Sequence, residues 1–510
     1  MVADHRPART AQLAKLCHLL GPASRPSQLA RGGVWGGCPP EASTAPWPTL
    51  VVVTAGLFLA VLSTTVVSVA LPTIGRDLHA SATGLEWTVD AYVLVYASLL
   101  VAGGVAGDRR GRRGTFLLGV ALFGLGSLAA GLAPSTGLLL AGRVLQGTGP
   151  ALLIPGSLAI IRATFTDGRQ RSFAVGLWST GSGVAMAVGP ALGGVIVGAL
   201  GWRWVFLLNV PLTAALVILA AVVVPRLPRA VPRGRFDWTG TVLSTAGVGL
   251  LAFAVIAGQD RGWAAPEVLA AFAAGAGILI RFVLTERRRE QPLIDVSLFG
   301  RPGFAAANLA ALIVFFAFVG AIVYFSAYFQ EVQGRSPAAA GLAVCAIGVA
   351  YAVAAAWSGR LVGRFGERWP LLAGLVLGGL ATLALIRLGP GTGLGAIWWN
   401  FALLGAGIGL CGTPMTTLAL AAVDVSRAGM ASAVLNTFRQ LGQVFGVAVL
   451  GALVYAQLPG GSGAGPLDSA GRELFVAGLH RALLLAGLAL LVTAAVIAPV
   501  LPRAQTSDRK

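Results

Sequence analysis

The sequence is a succession of long apolar stretches separated by short polar segments. An α-helix needs about 20 apolar residues to cross the hydrocarbon core of a bilayer. Fourteen stretches of that kind occur, numbered here as spans 1 to 14, near residues 49–71, 85–107, 114–133, 137–161, 172–198, 203–224, 238–257, 264–284, 304–330, 337–358, 369–388, 394–420, 429–456 and 476–501. The sequence therefore predicts an all-α polytopic membrane protein with fourteen transmembrane helices.

The composition agrees with a lipid environment. Hydrophobic residues make up 56% of the chain and charged residues only 11%, whereas a soluble domain carries about 25% charged residues. The net charge of +18 does not indicate nucleic-acid binding, because the arginines form short clusters between apolar spans instead of a patch on a polar fold. We expect a lipid bilayer, and no nucleic acid, as a partner.

The arginine clusters also predict the orientation of the chain. With both termini in the cytoplasm, 27 of the 37 Arg and Lys residues fall in cytoplasmic segments and 7 fall in outward segments. Cytoplasmic connections carry an excess of basic residues, and one missed span would invert every later connection. The sequence therefore predicts a multi-pass protein of the cell (inner) membrane.

The segments outside the spans are short apart from the first. Residues 1–47 lack an apolar stretch that could cross a bilayer and lack the h-region of a signal peptide. We expect a disordered cytoplasmic tail there, the alternative being an over-extended translation start. Residues 503–510 are expected to form a second cytoplasmic tail.

An internal repeat divides the chain. Three glycine-containing segments recur in the same order at offsets of 255 to 258 residues, namely 104–113 with 359–368, 147–149 with 405–407, and Gly189 with Gly446. Duplicated halves around a central site are typical of transporters. The predicted units are a six-helix half over 48–225, two inserted helices with their flanking cytoplasmic loops over 226–303, and a six-helix half over 304–502.

Several motifs resemble those of one family. They are Gly104-Val-Ala-Gly-Asp108-Arg-Arg-Gly111-Arg-Arg113 after span 2, Arg143-Val-Leu-Gln146-Gly147 in span 4, Gly189-Pro190-Ala-Leu-Gly193-Gly194 in span 5, Trp202-Arg-Trp-Val-Phe206-Leu-Leu-Asn209-Val-Pro211 at the entry of span 6, and Pro292-Leu-Ile-Asp-Val-Ser-Leu-Phe299 before span 9. From about Leu57 to Leu501 the chain resembles the major facilitator superfamily, specifically its fourteen-span drug:proton antiporters. The resemblance implies the major facilitator fold and a secondary active transporter.

The loop after span 2 is the most specific of these motifs. The resemblance implies a gating role for Gly104, Asp108, Arg109, Gly111, Arg112 and Arg113. An aspartate paired with arginine, or placed against a helix N-terminus, can hold two helices together in one state and release them in the other. The alternative, membrane anchoring by basic residues, explains the arginines but neither the aspartate nor the glycine spacing.

The motif in span 5 is implied to seal the protein against leakage during antiport. Its residues Gly189, Pro190, Gly193 and Gly194 include the small-xxx-small spacing that brings helix backbones together. Proline removes one backbone N–H and bends the helix. Plain tight packing is the alternative interpretation.

Two arginines lie inside spans, where a charge costs at least ~2.5 kcal/mol and usually faces the bundle interior. Arg143 in span 4 is a candidate for proton coupling, and snorkelling to the outer interface is its alternative. Arg439 in span 13 lies deeper, close to Asn436 and Gln440. We expect Asn436, Arg439, Gln440 and Gln146 to line a substrate cavity. The alternative for Arg439 is a structural polar network between helices.

Span 1 lacks the aspartate that the resemblance implies as the proton carrier. Span 1 of the family usually reads LDxTIVNVALP, and here Ser63 and Ser68 replace the Asp and the Asn. Asp90 is the best acid within the membrane, and its neighbours Trp87 and Tyr92 suggest an aromatic setting for a cationic or planar ligand. Glu331, at the outer end of span 9, is the next candidate for proton coupling, although an interfacial position is the alternative for both acids.

Nothing in the sequence indicates an enzyme. The four histidines form no metal cluster and pair with no nucleophile, and a GxxxxGK[ST] phosphate loop is missing. We therefore expect no cofactor and no metal, with a proton gradient as the energy source and a monomeric protein. The predicted function is export of small hydrophobic or cationic compounds by proton antiport; the alternative is an uncoupled facilitator or importer of a small solute.

Overall fold

The structure is a computed structural model. It describes residues 46–80, 82–227, 237–289, 292–335, 337–458 and 467–501. The two predicted tails therefore lie outside the described residues, apart from Pro46 and Trp47, which already belong to the first helix.

The described chain is helical and contains no strand in those ranges. The fourteen helices are α1 Pro46–Leu78, α2 Ala82–Arg110, α3 Arg112–Gly131, α4 Thr136–Thr164, α5 Gly168–Leu200, α6 in two pieces Trp204–Leu207 and Asn209–Val223, α7 Trp238–Arg261, α8 Pro266–Glu286, α9 Pro302–Ala327, α10 Pro337–Phe365, α11 Arg368–Ala384, α12 Leu394–Ala421, α13 Ala428–Tyr455 and α14 Ser469–Ile497. A π-helical turn, Tyr328–Val332, extends α9. Each helix coincides with one predicted span.

Thirteen of these described helices are long and apolar enough to cross a membrane as they stand. The other, α5, qualifies as two pieces, Gly168–Gly189 and Leu192–Leu200, that meet at an angle of 48°. The sequence has Pro190 at that junction, although the Pro190 side chain lies outside the described ones. The predicted all-α polytopic fold is confirmed.

Glycines allow neighbouring helices to pack with their backbones in contact. A Cβ atom on Gly149 of α4 would lie 2.6 Å from the Cβ of Phe123 in α3, and one on Gly442 of α13 would lie 2.2 Å from the carbonyl oxygen of Leu312 in α9. Helices in lipid associate mainly through such van der Waals contact, because burial of apolar surface gives little gain there. Close helix packing therefore accounts for many of the glycines in the described helices.

Two groups of helices meet along α2 with α13 and along α5 with α10. A Cβ on Gly176 of α5 would lie 2.8 Å from the carbonyl oxygen of Ala355 in α10, and one on Gly359 of α10 would lie 2.5 Å from that of Ser172. These contacts lie towards the end of the bundle where α2 turns into α3 and α4 into α5, here called the arginine-rich face.

The inserted helices α7 and α8 pack on each other, and α7 also lies along α2 and α13. The residue boundaries predicted for the two halves and the insertion stay predictions. For clarity, α1–α6 are called the N-terminal half and α9–α14 the C-terminal half.

Candidate functional site

Asp108 joins the two halves at the arginine-rich face. Its carboxylate is 8% exposed and accepts hydrogen bonds from the backbone N–H of Gly429 at 3.1 Å and of Met430 at 2.9 Å. These amides belong to the first turn of α13, which has no side-chain cap from its own flanking residue. Arg112 completes the arrangement, with Nε 3.2 Å from Oδ1. A carboxylate against a helix N-terminus is stabilised by the unpaired amides and by the helix dipole.

Glycines make room for this contact. A Cβ on Gly104 would lie 2.4 Å from the carbonyl oxygen of Gly429, and a Cβ on Gly429 would lie 2.8 Å from Oδ1 of Asp108. Gly111, between α2 and α3, has φ of 108°, which side chains rarely tolerate. The spacing of glycines around Asp108 is therefore set by one close helix crossing and one tight turn.

The arginines of the same loop differ in what they contact. Arg112 donates to the carbonyl oxygen of Ala159 in α4 at 3.3 Å and also to that of Val425, between α12 and α13. Arg113 donates to the carbonyl oxygen of Ala221 and so stays within the N-terminal half. Arg109 is half-buried. Asp108 and Arg112 thus connect the two halves through hydrogen bonds, and Gly104 packs against Gly429 across the same junction.

Arg143 is completely buried inside the N-terminal half. Its Nε donates to the carbonyl oxygen of Thr88 at 2.7 Å, and its Nη1 donates to Gln146 Oε1 at 2.6 Å and Ser63 Oγ at 3.3 Å. Gln146 donates in turn to Ser63 at 3.1 Å and to Ser127 at 2.7 Å. The snorkelling alternative for Arg143 does not hold, since its guanidinium faces protein and not the interface.

Ser63, where the resemblance implies an acid, is part of the Arg143 network. It supplies a hydroxyl there, and among the described residues the buried Nη2 atom of Arg143 has no hydrogen-bond partner. The aromatic ring of Tyr92 lies under the guanidinium, 4.4 Å from ring centroid to Cζ. Asp90 exerts an attractive electrostatic effect on Arg143.

The aromatic setting predicted around Asp90 is different in the structure. Tyr92 is buried and donates its hydroxyl to the carbonyl oxygen of Ala60 at 2.9 Å. Trp87 stacks on Phe253 of α7, with ring centroids 6.1 Å apart. The two rings point away from each other because five residues correspond to about 500° of rotation on a helix. They do not form a common surface beside Asp90.

Arg439 is buried in the middle of α13, with 7% of its surface exposed. Its Nη2 donates to Thr416 Oγ1 at 2.8 Å and its Nη1 to Asn436 Oδ1 at 3.4 Å, while its Nε is buried without a partner. Gln440 is also buried, but it accepts from Gln443 at 2.5 Å instead of joining Arg439. The guanidinium lies 5.5 Å from the ring of Phe315 in α9.

Comparison with known proteins identifies the family. The family model described as Major Facilitator Superfamily matches residues 53–447. The chain belongs to the major facilitator superfamily. It is 37% identical over 410 residues to multidrug resistance protein Stp of Mycobacterium tuberculosis, covering 80% of this chain and 76% of that protein. It is 34% identical over 420 residues to the tetracenomycin C resistance and export protein of Streptomyces glaucescens, covering 81% and 77%.

The fold agrees with solved structures of the superfamily. The proton:xylose symporter XylE superposes with a TM-score of 0.62 at 13% identity, covering 91% of this chain and 97% of that one. The predicted resemblance to drug exporters is confirmed, and so is the expectation of a transporter instead of an enzyme.

The glycines of the predicted antiporter motif pack α5 against α1. A Cβ on Gly189 would lie 1.9 Å from Thr65 Oγ1, and a Cβ on Gly193 would lie 3.0 Å from the carbonyl oxygen of Val66. Gly194 faces open space, with no atom within 4 Å of a built Cβ. Two of the motif's glycines are therefore required by helix contact and the third is not.

Glu331 lies in the π-helical turn that extends α9, half-buried. It accepts a hydrogen bond of 3.0 Å from the hydroxyl of Tyr455 at the end of α13. Glu331 is thus at the end of the bundle opposite the arginine-rich face, tied to an aromatic hydroxyl within the C-terminal half. Its role in proton coupling stays a prediction.

Two features of this transporter were missed in the sequence. Asp237 and Glu286 are both buried at the arginine-rich ends of α7 and α8, where Asp237 pairs with Arg289 and Glu286 accepts from the N–H of Ile294 at 3.1 Å.

At the face opposite the arginine-rich one, Asp77 accepts from the indole N–H of Trp202 at 2.8 Å. That hydrogen bond, followed by one from Arg203, lowers the pKa of Asp77. The Trp202-Arg-Trp motif could have indicated the contact with Asp77. The pair Asp237 and Glu286 could not be recognised, because the two residues lie far apart in the sequence.

Proposed function

We propose that this protein exports small hydrophobic or cationic compounds by proton antiport with alternating access, and that its arginine-rich face is cytoplasmic. The contact that supports the proposal best is the one between Asp108 and the first turn of α13. It joins the two halves through one buried carboxylate, beside the helix packing of α2 with α13 and of α5 with α10. The names of the relatives Stp and the tetracenomycin exporter support drug-like substrates.

The Asp108 contact holds the cytoplasmic side closed. The guanidinium of Arg162 adds a hydrogen bond of 2.5 Å to the carbonyl oxygen of Val423, just after α12. Carbonyls at a helix C-terminus carry partial negative charge, and amides at a helix N-terminus carry partial positive charge. The N-terminal half therefore presents an anion to the start of α13 and cations to the end of α12. When both are released together, the cytoplasmic side opens.

Proton coupling is assigned to Asp90 with Arg143. Ser63 cannot carry a charge near neutral pH, so a carboxylate elsewhere must alternate between protonated and ionised forms. Asp90 lies on α2, the helix that ends in the Asp108 contact, and the carbonyl of Thr88 on that helix binds Arg143. A change in the charge of Asp90 therefore acts on a helix that moves between the two states.

Substrate contacts are assigned to the central residues Asn436, Arg439 and Gln440 of α13. They lie on the helix that receives Asp108 at its first turn, and Arg439 reaches Thr416 of α12. Trp87 is assigned a place beside α7, where its ring and Phe253 offer a stacked aromatic surface. We propose a monomer as the transporting unit.

The competing function is an uncoupled facilitator or importer. The observation in its favour is Ser63, because Arg143 has a hydroxyl and not a carboxylate at the family's position. The two functions differ in their dependence on the proton gradient. One charge crossing about 100 mV supplies ~2.3 kcal/mol, enough for a roughly fifty-fold gradient of a neutral substrate.

The test is a resistance and uptake panel in a host that lacks its own efflux pumps. Cells expressing the protein should accumulate less of at least one hydrophobic or cationic compound, and an uncoupler should remove the difference. Cells expressing the Asp108→Asn variant serve as the control for expression and membrane insertion. Accumulation that follows the external concentration with and without uncoupler would support the facilitator instead.

A further inference from the structure

A cavity of about 500 Å³ opens at the arginine-rich face between the two halves. The N-terminal half contributes three arginines, Arg162, Arg169 and Arg171, from the end of α4 and the start of α5. The C-terminal half contributes Gly363 from the last turn of α10, Glu367 from the turn between α10 and α11, and the end of α12. The cavity therefore lies across the same junction that Asp108 closes at α13, but on the other side of the pseudo-symmetric molecule.

The internal repeat shows what is different on this side. The repeat pairs segment 104–113 with 359–368, so Gly363 stands where the first half has Asp108. In the first half, the Asp108 carboxylate reaches across to the amides of α13. In the second half, no side chain extends from Gly363 towards α5, and Asp167 caps α5 from within its own half by accepting from the N–H of Gln170 at 2.8 Å. The cavity occupies the place of the missing carboxylate.

The arginines in the cavity lack anionic partners. Among the described residues, Arg162, Arg169 and Arg171 form no ion pair within 4.0 Å with Asp167, Glu367 or any other carboxylate. In the described part of the chain, the Nη1 atom of Arg162 is buried without a hydrogen-bond partner, although its Nη2 reaches Val423. Arg171 and Arg112 act on Arg162 as like charges, and Asp424 acts on it as an opposite charge. Clustered guanidiniums with unused donors favour a phosphate, whose oxygens accept several charge-assisted hydrogen bonds.

We propose that this cavity binds a phosphate group, from free inorganic phosphate or from an anionic lipid headgroup, and that the bound anion holds the arginine-rich face closed. The anion supplies the negative charge that Gly363 lacks. It binds Arg162, Arg169 and Arg171, and by fixing Arg162, whose Nη2 donates to the carbonyl oxygen of Val423 in the C-terminal half, it joins the halves. Phosphate thereby favours the state described here over the state in which this face is open.

The first experiment measures phosphate binding to the purified full-length protein in detergent. The thermal unfolding midpoint is recorded with increasing phosphate and with chloride at equal ionic strength. Phosphate should raise the midpoint by several degrees more than chloride. An Arg169→Gln, Arg171→Gln double variant should bind phosphate at least about tenfold more weakly, since each lost charge-assisted hydrogen bond weakens binding by about that factor.

A matched control uses Arg364, which lies next to Gly363 on the same face but does not line the cavity. Arg364→Gln removes one positive charge from that face and should leave phosphate binding unchanged. A further variant, Gly363→Asp, introduces a carboxylate where the first half has Asp108. A Cβ at this position meets only ordinary contacts with Arg169, at 3.5 Å. This variant should raise the unfolding midpoint without phosphate and remove the further effect of phosphate.

The source of the phosphate is distinguished in vesicles. Spin labels at Gly114 and Val425, exposed positions in different halves, report whether the arginine-rich face is closed. In phosphatidylcholine vesicles, free phosphate should increase the closed population if the ligand is soluble. In vesicles that also contain phosphatidylglycerol, the closed population should rise without phosphate if the ligand is a lipid. The proposal is overturned if neither source acts, or if Arg364→Gln weakens the effect as much as the cavity variants.

Discussion

Replacing Asp108 by Asn tests the contact that closes the arginine-rich face. The amide keeps one acceptor oxygen, so one of the two bonds to Gly429 and Met430 is lost, together with the charge that pairs with Arg112. Loss of a hydrogen bond to a buried charged group, with loss of the helix-dipole interaction, costs about 2–4 kcal/mol. This cost falls only on the closed state, and it shifts the equilibrium between closed and open roughly 30- to 700-fold.

The population of closed protein can be measured with the spin-label pair at Gly114 and Val425. The Asp108→Asn variant should gain a population with a longer distance between the labels and should lose nearly all transport, while inserting normally. Asp468→Asn is the matched control, because Asp468 accepts its backbone hydrogen bond from Gly471 of the same helix, at the opposite end of the bundle. Unchanged distances and wild-type transport in a well-expressed Asp108→Asn variant would refute the assigned role of this contact.

Three further outcomes are expected. Ser63→Asp places a carboxylate beside the buried guanidinium of α4, so the pH dependence of transport should change; an unaltered pH profile counts against the assignment of coupling to this region. Gly189→Val forces α1 and α5 apart, so this variant should leak protons in vesicles without substrate or fail to fold. Gly194→Val should be tolerated. Equal effects of the two substitutions would contradict the packing. A reporter fused after Arg289 should read cytoplasmic and one between α11 and α12 external; the reverse pattern contradicts the orientation.

The fourteen helices could be predicted because each requirement is local. About 20 apolar residues between basic or polar segments suffice to specify a membrane helix, and every predicted span contains one. The Asp108 contact was predictable in kind, since an acid between glycines and arginines suits a helix N-terminus. Its partner was not predictable, because the amides of Gly429 and Met430 are more than 300 residues away in the sequence.

Side-chain directions inside the bundle were the least predictable feature. Trp87 and Tyr92 are close to Asp90 in sequence, yet one packs on α7 and the other on α1 and α4. Gln440 follows Arg439 directly but bonds to Gln443. Neighbours in sequence point about 100° apart on a helix, so a polar cluster in sequence does not imply a cluster in space.

Substrate-induced proton release in proteoliposomes tests the proposed antiport most directly. Wild-type protein should release protons when a transported compound, identified by the panel, is added, and Asp90→Asn should bind the compound but release none. Asp77→Asn is the control and should behave as wild type, because Asp77 lies at the face opposite the arginine-rich one and pairs with Arg203. Equal proton release by wild type and Asp90→Asn would place coupling elsewhere, with Glu331 the next acid to replace. No proton release by wild-type protein during measured transport would contradict proton antiport itself.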